Sequence, residues 1–583
     1  MATPTLAYDI DASRPAQREL DVRVRFAGVT ADEVEFFLPV WTPGSYLVRE
    51  HARHLSRVVA LEPSSGRELR CVKSTKNRFR IARDGADAIE LRYRVYAHEL
   101  SVRTCDLDPG HAFWNHTGVL LWPLGHESLA ATIRVTHPPQ WSLHCSLPAG
   151  SHALAASGPG EAVVRADDLD QALDAPVLLT AGPRLAFEFD GVPHGIVLDG
   201  LGTISPPDSL VDDLKAIVAQ AAAVFGSNLP YANYLFLAMF ADEGYGGIEH
   251  RDSSVLLMPR TSLTTARGYR DFLALAAHEL FHAWNVKRLR PRELWRYDYE
   301  RENYTRLLWL MEGWTAYYDD LLVARAGLMS HQDYLDAMAK NVQGMRTAPG
   351  RFELSLEESS FDAWLRLYRP DENTRNSSQN YYGNGAVAAL CLDLAIRRAS
   401  SGRHSLDDVL RHLWQHTFEQ DRGYVLADVE EAVRTLAGEA ETELLHAMVQ
   451  GPLDPPLADL LQDVGANLNS EDLGRPFLGI TFKAGTTIAA SVIRGSPAFD
   501  AGFAPADELL AVQDLRVTAS NWRTVLDAVA RIGEPLDVLV ARRGVIVGLT
   551  VTPSAGPGTA HIALDESAGP QELAARRAWL GAN

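Results

Sequence analysis

The chain has 583 residues, 46% of them hydrophobic, and a formal net charge of -20. That length suits about three or four domains with substantial cores, and the acidic balance argues against nucleic acid as a partner while weakly attracting cationic peptide N-termini. No stretch is long and apolar enough to span a bilayer. The start, Met1 to Ile10, lacks the basic and hydrophobic regions of a signal peptide, so the expected location is cytoplasmic, or periplasmic or secreted if the N-terminus has been trimmed. The four cysteines, Cys71, Cys105, Cys145 and Cys391, show no paired spacing and read as buried thiols, with neither a disulfide framework nor a cysteine zinc site indicated.

Residues 1–185 carry short alternating segments, such as Leu20 to Phe26, Val34 to Leu38 and Ile89 to Val95, split by Gly and Pro, which is the pattern of an all-β domain. From 186 to 335, strand-like runs at Tyr234 to Phe240 and Ser254 to Met258 give way to helices. Between those runs lie Gly246 and Gly247, which by themselves read as a bulge or turn, and Glu249, which by itself reads as a surface acid.

The apolar, helix-favouring run Asp271 to Ala277 leads into His278-Glu279-Leu280-Phe281-His282. Positions i and i+4 share a helix face, so both imidazoles can reach one cation, and Glu279 projects close enough to take a proton from a metal-bound water. Catalytic zinc takes three protein ligands and keeps one position for water. Glu312, embedded in the apolar run Leu307 to Tyr318, is the expected third ligand, because a carboxylate there needs a positive partner. Asp319 lies two turns further on and is a candidate for orienting a ligand. The basic cluster Lys287, Arg288, Arg290 and Arg292 reads as pairing with the acidic stretch from Glu293 to Glu302.

Residues 336–460 read as mainly helical, with a Ser/Asn-rich loop from Asp371 to Gln379 that has the makings of a lid, then Tyr381 and Tyr382 before the apolar run Ala386 to Ile396. Pro452 to Pro456 breaks the helical pattern. A further module is expected over 461–553, and 554–583 reads as a Gly/Ala-rich tail without an assigned fold.

The residues from His278 to Pro291, followed by Glu312-Gly-Trp-Thr-Ala-Tyr-Tyr318, resemble the glycyl aminopeptidase family of PDZ-containing gluzincin metallopeptidases, relatives of the aminopeptidase N group. Trp41 to Tyr46 is similar to part of that family's N-terminal domain, so the likeness covers nearly the whole chain. The resemblance implies a multidomain α+β protein: an N-terminal β domain walling one side of the cleft, a thermolysin-like catalytic domain with a helical part, and a C-terminal PDZ-like domain. It implies that Gly246-Gly247-Ile248-Glu249 holds the substrate backbone, with Glu249 on the free amine, and that Tyr382 donates to the oxyanion. Asn384 stands where lysine is usual, which leaves Tyr381 in play. Leu478, Gly479 and Ile480 match the loop that cradles a peptide carboxylate in PDZ domains, although a module that merely packs on the catalytic part is an equal reading.

The expected function is a zinc aminopeptidase with one Zn2+, acting on peptides with a free N-terminal Gly or Ala. A gluzincin-type endopeptidase and an inactive PDZ-containing peptide-binding scaffold are the alternatives. The segment from Arg103 to Asn115 is the part of the N-terminal domain expected to approach the site, with no single residue assigned.

Overall fold

The computed structural model describes residues 4–148, 160–471 and 474–581. Two compact units divide the chain, 1–303 and 304–583.

The first unit begins with strands that bury one face each. Thr5–Asp11 and Glu19–Ala27 alternate between exposed and buried positions, and they pair within a seven-stranded sheet. Two four-stranded sheets complete this part, and Phe26, Phe36, Trp114 and Trp122 share its core. The expected β domain is therefore observed, with a short helix, Leu169–Leu173, capped by the Asp168 carboxylate.

A mixed sheet of five strands follows. Its central strand, Tyr234–Ala241, pairs in parallel with Val192–Asp199 on one side and Ser253–Pro259 on the other. Burial on both faces explains its unbroken apolar sequence. The edge strand Gly246–Glu249 runs antiparallel to Ser253–Pro259. Packed near it is the histidine helix, Ala266–Phe281, which starts where the Thr265 hydroxyl accepts from Gly268 N–H and buries Phe272, Leu273, Leu275, Ala276 and Leu280.

The second unit is helical before it becomes β-rich. The glutamate helix, Gly313–Arg325, crosses the tyrosine helix, Gly383–Ala399, through two glycines: a Cβ on Gly313 would lie 2.6 Å from the Gly385 Cα, and one on Gly385 would lie 2.8 Å from the Gly313 Cα. Backbones can approach that closely only without side chains. The domain boundary expected at 335/336 falls inside the continuous helix His331–Arg346 and is not a boundary. The sequence pattern there changes composition without breaking periodicity.

The loop from Asp371 to Gln379 is also different from expectation. It contains a helical turn, Thr374–Ser377, and the buried Asn376 amide donates to the Val492 carbonyl at 2.8 Å and accepts from Arg494 N–H at 2.8 Å. Those bonds tie it to the small β module, so it is no lid.

That module has its own core, including Leu478, Val492, Val512 and Val540. Gly479 adopts φ +82° with no room for a Cβ beside Ser496. The carbonyls of Leu478 and Gly479 accept from Ala498 and Ile493 at 2.9 and 2.8 Å. Phe482 of the strand Ile480–Phe482 meets Trp522 of the helix Trp522–Val529 edge-to-face, with ring centroids 4.9 Å apart.

The tail is folded. Ser554–Ala555 pairs with Pro476–Phe477, Thr559–Leu564 pairs with Ala466–Glu471, and the helix Pro570–Leu580 buries Trp579, whose indole N–H donates to the Tyr317 hydroxyl at 2.8 Å. Its partners are remote in sequence, and its local composition carries no periodic signal that reveals them. Among the described residues, no helix is long and apolar enough to cross a membrane.

Candidate active site

His278 and His282 lie one turn apart, their rings 4.7 Å between centroids and nearly perpendicular at 86°. His282 closes the histidine helix with φ -61° and ψ -20°, its N–H turned to the His278 carbonyl, so the i, i+4 relation survives at the helix end. Its Nδ1–H donates to the Asn285 carbonyl at 2.9 Å, which leaves the lone pair on Nε2 and fixes the ring. The loop presenting that carbonyl is closed by Lys287 N–H on the His282 carbonyl at 3.0 Å. Val286 within it has φ +128°, a strained value for a β-branched residue.

Glu279 is 4% exposed and Glu249 3%. Glu249, Glu279 and His282 bring their ligand atoms within 4.8 Å of one another, so the edge strand and the histidine helix present two carboxylates and an imidazole to one small volume. Gly247 makes this possible, because a Cβ there would fall on the Glu279 carboxylate. On the other side Gly44, at φ +92° in the Trp41–Tyr46 loop, leaves the same kind of clearance for the Glu249 carboxylate. The Oε1 atom of Glu249 is buried without a hydrogen-bond partner among the described residues.

Behind Glu249, the next residue His250 turns Nδ1 to Asp174 at 3.1 Å, and Lys287 places its ammonium 2.8 Å from the same oxygen. Burial alone would raise the Asp174 pKa, but Lys287 and His250 outweigh it and hold the carboxyl well below its usual range. Burial likewise opposes charge on Lys287, yet Asp174, with help from Tyr297 and Glu249, raises its pKa. The basic cluster therefore does not pair with Glu293 to Glu302. Lys287 pairs with Asp174, Arg288 with Asp252 at 2.8 Å, and Arg290 donates to backbone carbonyls and stacks on Tyr297. Lys287 and Arg288 are buried, and folding brings their carboxylate partners from distant positions.

In the second unit Glu312 is 2% exposed at the junction of the short helix Leu308–Met311 and the glutamate helix, with its N–H on the Leu308 carbonyl at 2.8 Å. Burial pushes the phenol of Tyr382 well above its ordinary pKa and the charge of Glu312 adds to this, so the hydroxyl keeps its proton. Tyr381 is shifted in the same direction, by burial first and then by Tyr368 and Glu312. Tyr382 lies 3.3 Å from the Tyr368 hydroxyl, whereas the Tyr381 hydroxyl is buried without a partner among the described residues. Asn384 is buried and donates to the Gln379 side chain at 2.9 Å. Asp319 is half-buried and accepts from Asp320 N–H at 2.6 Å.

Two family models match this chain: the M61 glycyl aminopeptidase over residues 271–388 and the peptidase M61 N-terminal domain over residues 7–181. The chain belongs to the M61 glycyl aminopeptidase family. As a member it is a metallopeptidase of the aminopeptidase class.

A solved structure of an aminopeptidase N family protein from Idiomarina loihiensis is similar along the whole length, with TM-score 0.91 and 28% identity over 99% of this chain and 100% of that one. An M1 zinc metallopeptidase from Deinococcus radiodurans, solved as a mutant with a Tyr-Ser-Ala substrate, has TM-score 0.47 and 17% identity over 78% of this chain and 94% of its own. Legionella pneumophila aminopeptidase A has TM-score 0.47 and 14% identity over 77% of this chain and 49% of its own. No curated protein matches the chain.

Within this M61 member, the N-terminal β domain reaches the edge strand through two residues of particular interest, neither of them assigned from sequence. One is Gly44. The other is Arg103, whose Nη2 donates to the Gly247 carbonyl at 3.4 Å. The Thr-Pro-Gly turn at 42–44 was a signal for the first; Arg103 opens the segment to Asn115 that was expected to approach the site, but nothing local pointed to its partner 144 residues away.

Proposed function

We propose that this M61 member is a zinc-dependent aminopeptidase that removes an N-terminal Gly or Ala from peptides. His278, His282 and Glu312 are the ligands of this reading, since two imidazoles with one carboxylate are a donor set suited to a single catalytic zinc. The Nε2 lone pair of His282, fixed by the Asn285 carbonyl, fits that role. When bound, zinc would polarise the scissile carbonyl and make a water acidic enough to ionise near neutral pH.

In this reading Glu279 accepts the proton of the attacking water and returns it to the leaving amine. Tyr382, held protonated, donates to the oxyanion as it develops. Glu249 binds the substrate ammonium, and Gly246 and Gly247 let the peptide backbone lie against the edge strand. Asp319 is the candidate for orienting a ligand of the metal.

The observation that carries the exopeptidase reading is the buried, unpartnered oxygen of Glu249 beside Glu279 and His282. A carboxylate so placed requires a cation, and a free α-amine supplies one. N-acetylation of a Gly-Phe peptide should therefore lower kcat/KM by on the order of a hundredfold. Equal cleavage of free and acetylated peptides would instead identify an endopeptidase.

A further inference from the structure

Arg103 reaches the free edge of the strand Gly246–Glu249, and the ladder shows which edge that is. His250 N–H donates to the Ser253 carbonyl at 2.9 Å, closing a hydrogen-bonded pair at the hairpin. Alternation along the register then makes Glu249↔Ser254 and Gly247↔Leu256 the pairs whose N–H and C=O groups point away from the sheet. The Gly247 carbonyl is one of these outward groups, and it is the one that Arg103 Nη2 contacts. The other terminal nitrogen, Nη1, would lie 3.5 Å from a Cβ on Gly246. A peptide added to this edge runs past the guanidinium.

The guanidinium is short of partners. It is half-buried, its Nε is buried without an acceptor, and among the described residues no carboxylate forms an ion pair with Arg103. A cation partly removed from water with only one long bond to a neutral carbonyl is favourable when an anion joins it. Glu249 stands two residues along the strand, about 7 Å at the usual rise. That span matches two residues of extended substrate running antiparallel, with the ammonium at Glu249.

We propose that Arg103 binds the C-terminal carboxylate of dipeptide substrates and so makes the enzyme select short peptides. The inference rests on the assignment of the substrate amine to Glu249. One charged residue then holds each end of a Gly-Xaa molecule, and the length of the substrate is measured along the edge strand.

The test compares Gly-Phe with Gly-Phe amide on the zinc-loaded full chain. A charge-assisted pair lost on amidation predicts that kcat/KM for the acid exceeds that for the amide by about tenfold or more, mainly through KM. In Arg103→Leu that ratio should fall to about one, and Arg103→Lys should keep part of it, as expected of a point charge in place of a fork. Wild-type enzyme that cleaves acid and amide equally overturns the proposal without any variant, as does an acid-to-amide ratio that survives Arg103→Leu. Cleavage of neither peptide overturns the aminopeptidase reading and this proposal with it.

Discussion

Gly247 faces Glu279 across a gap that admits no methyl group: a Cβ on the first would coincide with the carboxylate of the second. The edge strand and the histidine helix are thus set at the closest approach that backbone and side chain allow, and the position of the proposed general base depends on a residue with no side chain.

Gly247→Ala must therefore push Glu279 or the strand aside. A displacement near 1 Å at a group that moves a proton costs on the order of a hundredfold in kcat. Bound zinc should stay unchanged, since Glu279 is not among the proposed ligands. Steady-state kinetics on Gly-Phe together with metal content checks this; a fall in zinc alongside kcat would mean that the substitution damaged the metal site instead.

The neighbouring tyrosines separate by the same kind of measurement. Tyr382→Phe should lower kcat by about a hundredfold to a thousandfold, the cost of losing one oxyanion donor, with KM little changed. Tyr381→Phe removes a hydroxyl that has no partner among the described residues, so its effect on kcat should be less than about fivefold. The reverse ranking would transfer the donor role to Tyr381.

Helix crossing in the second unit rests on Gly313 and Gly385. Gly313→Ala introduces a carbon 2.6 Å from the Gly385 Cα, which the two helices can relieve only by separating. Overpacking of this kind costs about 1–3 kcal/mol, and because Glu312 and Tyr382 begin these two helices, activity should fall with stability. Urea denaturation of the variant checks the first effect. Unchanged stability would contradict the close crossing.

How much of this was legible in the sequence varies with distance along the chain. His278, Glu279 and His282 declare themselves because a helix converts a spacing of four into a shared face, whereas Glu249 was legible only through the resemblance of Gly246 to Glu249 to the family's motif. The β domain was readable from alternation in segments such as Leu20 to Phe26. What could not be read are contacts made by folding. Asp174 neutralises Lys287 from 113 positions away, Arg103 meets Gly247, and the Trp579 indole enters the second unit's core from a tail whose few apolar residues give no period. Local pattern reports which face of an element is buried, and not what buries it.

A pH prediction follows from His111, which lies between Asp199 at 2.5 Å and Asp106 at 3.0 Å. Burial opposes its protonation, but hydrogen bonds to Asp106 and Asp199 and the nearby negative charge outweigh it and raise the pKa from 6.5 to about 10. A raised pKa means that the folded state binds the proton more tightly than the unfolded chain does. The contribution is complete below about 6.5 and is lost as pH rises toward about 10. Stability measured by denaturation should decline across that window, and His111→Ala should cost roughly 3 kcal/mol at pH 6 and flatten the decline. A variant with the same pH dependence as the wild type would show that His111 is not its source.

The central claim is that one zinc ion is held by His278, His282 and Glu312, and bound metal per chain in the wild type and in the three single variants His278→Ala, His282→Ala and Glu312→Ala tests it most directly. About one zinc in the wild type and less than about a tenth of that in each variant is the expected result, given the tenfold to hundredfold or greater loss of affinity that follows removal of groups supporting a zinc site. Full zinc occupancy in Glu312→Ala, or none in the folded wild type supplied with zinc, would contradict the assignment.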